Sequence, residues 1–262
     1  MNDQKQQDEL DDPRTPKFAT WRSFTNFSES VRRSRRYVWT EKTQAVLATA
    51  GTRQLQIPAG KVYYRAQKGV EYSEDGHSPT GYGSLRMKPL PDRASEGRAN
   101  PAGIPVLYLA STVETAISET RPWVGAGVSV GTFRTIKHLK LVNFIQEKPT
   151  SAFRVIGLSA ILEKVVPRQE KVLEAVWADI DNAFSRPVSR EDASAADYAP
   201  TQILTELFAD AGYDGIAYNS NFNGGHNLAL FDVSSAEILS CAPYEVNAVH
   251  VDVKQIGNAW HG

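Results

Sequence analysis

Three stretches of this 262-residue chain place chemically able groups among residues that read as ordered. The first is KVYYRA, residues 61–66, where Arg65 follows two tyrosines in a strand-like run. A guanidinium in a strand that packs into a core needs an anionic partner, because a buried unpaired charge is costly. That partner is either a carboxylate of the protein or a phosphate of a ligand. The second stretch is RANPAG, residues 98–103. Arg98 offers a planar fork for phosphate, and Asn100 offers amide donors and an acceptor. Pro101 and Gly103 set the turn that would hold them; the plain alternative is a structural loop. The third is STVETAISETR, residues 111–121, which carries Glu119 on a short helix. Glu114 lies five residues earlier and faces elsewhere on that helix, so the two acids do not make a pair. Glu119 is then either a solvent-facing glutamate or a lone carboxylate at a site.

Other chemistries have no residues to run on. The five histidines, His77, His138, His226, His250 and His261, show no metal-ligand spacing with one another or with Cys241, so no metal is expected. There is no P-loop, no G-x-G-x-x-G after a strand and no G-x-S-x-G elbow. Cys241 sits in an apolar strand-like run and reads as a packed thiol.

The elements that must position these groups follow from periodicity and turn residues. Residues 18–50 carry apolar side chains at mixed helical spacings, which predicts one or two short helices. Arg32, Arg33, Arg35 and Arg36 fall inside that stretch, as either a partner contact or a solvated helix face. Strands are predicted over 61–66, 104–110, 128–135, 139–144, 213–218, 227–232 and 236–242. Residues 67–103, rich in Gly, Pro, Ser and Asp, read as a long loop, of which residues 67–97 could close over a cleft. Ser111 opens S-T-V-E, a capping box with Glu114 at its third position, and the helix after it should run to about Thr120, before Pro122. Residues 157–184 carry helical spacings interrupted at Pro167. Pro200 reads as a first-turn proline for a helix whose stripe is Ile203, Leu204, Leu207, Phe208 and Ala211, ended by Gly212. The result is a mixed α+β domain.

Composition narrows the classes. With 41% hydrophobic residues the chain can build a core. Twenty-nine basic residues against 30 acidic ones give a net charge of −1, so no global field favours nucleic acid or an anionic membrane. The single cysteine excludes an internal disulfide. The acidic, polar start is no secretory signal, and no apolar run approaches the roughly 18–20 residues of a membrane helix. A cytoplasmic protein is the expectation. The expected organisation is a disordered tail over 1–16, a helical extension over 17–55, one domain over 56–250 and a tail over 251–262.

Five short patterns in one order resemble the RES domain, a family named for an arginine, a glutamate and a serine. They are R-x-N-x-x-G from Arg98, Y-L-A from Tyr108, T-A-x-x-E ending at Glu119, D-G-I-x-Y-x-S ending at Ser220, and N-L-x-L-F from Asn227. KVYYRAQ, with Arg65, precedes them, and the likeness covers roughly residues 56–242. The segment NSNFNGGH around Ser220 departs from the pattern in length and polarity.

The resemblance implies a concrete protein. Its fold would be ADP-ribosyltransferase-like, an α+β split mixed sheet with flanking helices that binds NAD⁺ in a cleft without a Rossmann glycine motif. Its activity would be NAD⁺ degradation, by hydrolysis or by phosphorolysis with inorganic phosphate, as the toxin of a bacterial toxin–antitoxin pair. Its partner would be an Xre-like antitoxin that blocks the site. Arg65, Glu119 and Ser220 would be the catalytic set. Glu119 would sit against the positive charge that grows on the ribose, Arg65 on the pyrophosphate, and Ser220 on the ribose or phosphate. Arg98 would bind a second phosphate or inorganic phosphate, Asn100 would be a further ligand-binding residue, and Tyr64, Tyr82, Tyr108 and Tyr218 would offer stacking surfaces, core packing being the alternative for each tyrosine. The alternatives are transfer of ADP-ribose to a macromolecule, or a non-catalytic binding module.

Overall fold

The computed structural model describes residues 16–36, 41–90, 93–148, 150–185, 195–222, 224–251, 253, 255, 257 and 260. The expected tail over 1–16, apart from Pro16, lies outside the described residues, as do most of the tail over 251–262 and the run Tyr37, Val38, Trp39. In chain order the strands are β1 (Gln54–Ile57), β2 (Val62–Lys68), β3 (Glu71–Tyr72), β4 (Pro79–Thr80), β5 (Leu107–Ala110), β6 (Gly127–Thr135), β7 (Leu139–Phe144), β8 (Gly215–Asn219), β9 (His226–Leu230) and β10 (Ala236–Glu245). The helices are α1 (Ser23–Arg33), α2 (Glu41–Ala50), α3 (Ser84–Met87), α4 (Val113–Glu119), α5 (Ala152–Ile156), α6 (Leu158–Leu162), α7 (Gln169–Ser185) and α8 (Ala195–Asp210). Among the described residues no helix is long and apolar enough to cross a membrane.

Eight strands form one mixed sheet in the order β1-β7-β8-β9-β5-β2-β6-β10, and β3 pairs with β4 as a separate ribbon. Alternation along the strands sends side chains to two cores. Val142 and Phe144 of β7, Ile216 and Tyr218 of β8 and Ala229 of β9 meet Trp177, Ile180 and Phe184 of α7 and Leu204 and Phe208 of α8. Leu139 and Leu141, Ala217, and Leu228 and Leu230, the alternate positions, join Leu107, Leu109 and Phe133 in a second core. The ring of Phe144 stacks on Phe184 at 4.4 Å between centroids. Phe18 and Phe24 near the N-terminus and Ala45, Val46 and Ala50 of α2 belong to the first core.

The sheet is nearly divided. β2 pairs with β6 over seven residues, from Val62↔Arg134 to Lys68↔Val128. On its other edge β2 meets β5 at one pair only, Tyr64↔Ala110. That single pair joins a five-stranded half to a three-stranded half, which is the split mixed sheet with flanking helices that the resemblance implied.

Several local expectations are corrected. The strand predicted over 104–110 begins at Leu107, because Ile104 closes a turn by donating its N–H to Pro101 O at 3.3 Å. Residues 67–103 are not a bare loop: β3, β4 and α3 lie within them, and Tyr82 and Met87 are buried in the second core. Tyr82 and Met87 thus tie that stretch to the core, while residues 71–80 stay largely exposed. Pro200 lies inside α8, which starts at Ala195, so it is not in the first turn. Gly212 ends α8 as expected, at φ 79°, with Tyr213 N–H to Phe208 O at 3.0 Å and Gly212 N–H to Ala209 O at 3.1 Å.

Candidate active site

The site is built where the sheet divides. Extending the β2–β5 register past Tyr64↔Ala110 would set Ala66 opposite Tyr108, but the strands part there. In the gap Arg65 Nη1 donates to Tyr108 O at 3.2 Å. Arg65 forms no ion pair among the described residues, and its Nε is buried without a partner. Burial pulls its pKa down. Among the described residues no carboxylate pairs with it as a structural arginine would need.

Arg98 reaches the same cavity from the turn over residues 97–100. Gly97 N–H donates to Asn100 O at 3.0 Å, and a Cβ at Gly97 would stand 2.5 Å from the Tyr108 hydroxyl. Only glycine lets the turn pass so close. Arg98 Nε is also buried without a partner, and Arg98 has no ion pair among the described residues.

Asn100 is corrected from ligand to scaffold. It is 1% exposed. Its Nδ2 faces the carbonyls of Ser95, Pro101 and Ile104 at 2.9, 3.1 and 2.9 Å, and its Oδ1 accepts from the Tyr108 hydroxyl at 2.7 Å. Gln202 of α8 holds the turn from behind, with Nε2 within 2.9 Å of Gly97 O and 3.0 Å of Asn100 O.

Glu119 enters as the last residue of α4. The helix is capped one residue later than expected. Thr112 takes the cap, its Oγ1 accepting Thr115 N–H at 3.1 Å, while Ser111 Oγ accepts His226 N–H at 3.0 Å. Ser111 is thus spent on joining β9 to the start of α4. After Thr120 the chain turns at Arg121, whose φ is 49°, and the Arg121 guanidinium lies 5.1 Å from the Phe222 ring centroid.

The turn between β8 and β9 brings Ser220 to Glu119. Ser220 N–H donates to Gly225 O at 2.9 Å, closing the turn. Gly225 runs against Thr115, whose Oγ1 would collide with a Cβ there. Ser220 Oγ donates to Glu119 Oε1 at 2.8 Å, and Asn227 Nδ2 donates to the same oxygen at 2.6 Å. Among the described residues Oε2 takes no hydrogen bond.

Around these groups lies a cavity of about 320 Å³, in the small-molecule range. Tyr64, Tyr108, Tyr198 and Tyr218 line it with Arg65, Arg98, Glu119 and Asn227. Burial pushes the Tyr108 phenol up to about 12. Burial also pushes Tyr218 up, with Tyr108 and Glu119 adding to it. Both phenols stay protonated and serve as donors at neutral pH. Tyr82 is corrected: it is absent from this wall. It is 6% exposed in the second core, its hydroxyl donates to Lys68 O at 2.8 Å, and its ring lies under Arg86.

Of the residues expected at a site, Arg65, Glu119, Ser220, Arg98, Tyr64 and Tyr218 come together, and Tyr82 and Asn100 serve the scaffold. Two wall residues were missed. Asn227 opens the N-L-x-L-F pattern, and its signal was a polar residue beginning an otherwise apolar strand. Tyr198 lies in the first turns of α8, upstream of the stripe that identified the helix. The arrangement lines one small cavity with two guanidinium groups that have no ion pair among the described residues, phenol donors and one oriented carboxylate. Among the described residues no group of three or more His, Cys, Asp and Glu could hold a metal.

A family model described as the RES domain matches residues 62–252. No curated protein matches the chain. Among solved structures, the crystal structure of the M. tuberculosis MbcT–MbcA toxin–antitoxin complex aligns with a TM-score of 0.40 and 12% identity, over 76% of this chain and 92% of that one. With the family pattern matched across its core, Arg65 and Glu119 lining one cavity and Ser220 hydrogen-bonded to Glu119, the chain belongs to the RES domain family.

Proposed function

We propose that the protein degrades NAD⁺ by cleaving the bond between nicotinamide and ribose, with water or inorganic phosphate as the acceptor. The observation that carries this reading is the pairing of one tethered carboxylate with two arginines that have no ion pair among the described residues. A guanidinium pair without a carboxylate suits a dianion such as pyrophosphate, which both forks can grip.

The chemistry needs one carboxylate only. Nicotinamide is cationic while attached and leaves neutral, so no general acid is required, unlike ordinary glycoside cleavage with its two carboxyl groups. Positive charge grows on the ribose in the transition state. Glu119 Oε2 is the oxygen left to face it, and a fixed carboxylate there stabilises that charge without reorganising. Arg65 and Arg98 hold the phosphates, and the Tyr218 and Tyr64 rings border the space for the nicotinamide-side ribose and base. As a member of its family, the protein would act as a toxin, with an Xre-like antitoxin covering this cavity.

The test is NAD⁺ loss by the purified protein, with and without inorganic phosphate, with products identified by mass. ADP-ribose in both conditions makes it a glycohydrolase. ADP-ribose 1″-phosphate formed only with phosphate makes it a phosphorylase. Label from NAD⁺ on a macromolecule would make it a transferase, and no loss of NAD⁺ would end the reading.

A further inference from the structure

We infer that Asn227 is the positioning residue that fixes Glu119 for reaction, and that it does so more firmly than Ser220. The inference rests on the NAD⁺ reading for the nature of the reaction, but its argument is geometric. Both residues donate to Glu119 Oε1, Asn227 at 2.6 Å and Ser220 at 2.8 Å. Two donors on one oxygen set the plane of the carboxylate and leave Oε2 uncommitted.

The two donors are held very differently. Asn227 is 4% exposed and lies on β9, a strand paired on both sides. Its partners are Tyr218 on β8 and Ala110 on β5. Ser220 stands one residue beyond the end of β8, on a turn, and its hydroxyl also accepts Phe222 N–H at 3.2 Å. Water can reach the Ser220 hydroxyl and replace its bond to Glu119. The Asn227 amide, 4% exposed within the sheet, meets solvent only through the cavity it borders, so water competes for its bond to Glu119 less than for that of Ser220. Loss of the Asn227 donor therefore leaves Glu119 on one competed hydrogen bond, while loss of Ser220 leaves it on the protected one.

An aspartate at 227 makes the argument testable through pH. Asn227→Asp keeps the shape but sets two carboxyl groups against each other, so that together they hold a proton. With that proton on residue 227 the donor to Glu119 Oε1 is restored. The other charged and titratable groups lining the cavity with the pair are Arg65, Arg98, Tyr64, Tyr108, Tyr198 and Tyr218, the last being the partner of Asn227 on β8. His226, the neighbour of Asn227 on β9, has a pKa that burial lowers.

The experiment measures kcat and KM for NAD⁺ with the wild type, Ser220→Ala, Asn227→Ala and Asn227→Asp, across pH, each with a thermal melt to establish folding. Asn227→Ala is expected to lower kcat roughly 10–100-fold with KM little changed, the equivalent of one charged hydrogen bond. Ser220→Ala should lower it less. Asn227→Asp should be most active at low pH and lose activity as pH rises and the shared proton leaves, a fall the wild type does not show. Wild-type turnover with Asn227→Ala at or above the activity of Ser220→Ala would overturn the inference and leave the NAD⁺ reading intact. The same holds for an Asn227→Asp profile that tracks the wild type. A folded wild type that spares NAD⁺ would overturn both.

Discussion

Arg65 holds its charge against the middle of the sheet with only the Tyr108 carbonyl to receive it, and that is an expensive way to fill space. An apolar side chain of similar length would suit the free protein better. Arg65→Met is therefore expected to raise the melting temperature, by roughly 1–3 kcal/mol of added stability less the single carbonyl bond, and to abolish NAD⁺ loss. Thermal denaturation and a turnover assay on the same sample check both halves. A melting temperature that falls by as much would mean that Arg65 is a structural residue. Arg65→Lys should fail as well, since an ammonium cannot present the fork. Both arginines and the glutamate stood out by residue type and context, and Ser220 came only from the resemblance to the RES domain. Asn227 did not stand out: a polar residue at the start of a strand reads as easily as a solvent-facing position. Tyr82 and Asn100 were misplaced because both stand on connections outside the main sheet, where residue type alone does not say which side chains turn inward.

At the scale of elements, α8 links the N-terminal extension to the cavity. Val31 of α1 packs on Ala199 and Ile203, and Arg32 lies 3.6 Å from Asp197, beside the wall residue Tyr198. One turn further on, Gln202 grips the backbone of the 97–100 turn that carries Arg98. Gln202→Met removes those donors and keeps the volume. Losing one or two bonds of about 1 kcal/mol each should raise KM for NAD⁺ roughly tenfold with kcat nearly unchanged, because the turn that holds Arg98 is loosened and Glu119 is not touched. Steady-state kinetics separate the two constants, and a fall in kcat alone would remove Gln202 from this role. Most strands were visible as alternating runs, and α8 as a stripe. Its true start was hidden because Pro200 is tolerated one turn further in than its usual place. The meeting of Glu119 with Ser220, 101 residues away, depends on β9 lying between β8 and β5, and no local pattern states that order.

Across the whole molecule, the extension and the family domain are joined by a buried charge. Arg53, in the 3₁₀ turn Gly51–Arg53 after α2, donates Nη2 to Asp181 Oδ1 at 2.6 Å and lies 5.0 Å over the Trp177 ring. Asp181 also takes a hydrogen bond from Gln146, and its side chain is 4% exposed. Burial pushes its carboxyl up to about 6, against the pull of Arg53 and Gln146. A carboxyl whose pKa in the fold lies above its unfolded value of about 3.9 favours the fold most when protonated. Its contribution is complete below pH of about 4 and is lost as pH rises through about 6, a change of roughly 2–3 kcal/mol. Asp181→Asn keeps the acceptor for Arg53 and cannot titrate. Melting curves from pH 4 to pH 7.5 should show the wild type losing stability relative to Asp181→Asn as pH rises. Parallel curves would mean that the Arg53 guanidinium outweighs burial and holds Asp181 ionised across the whole range.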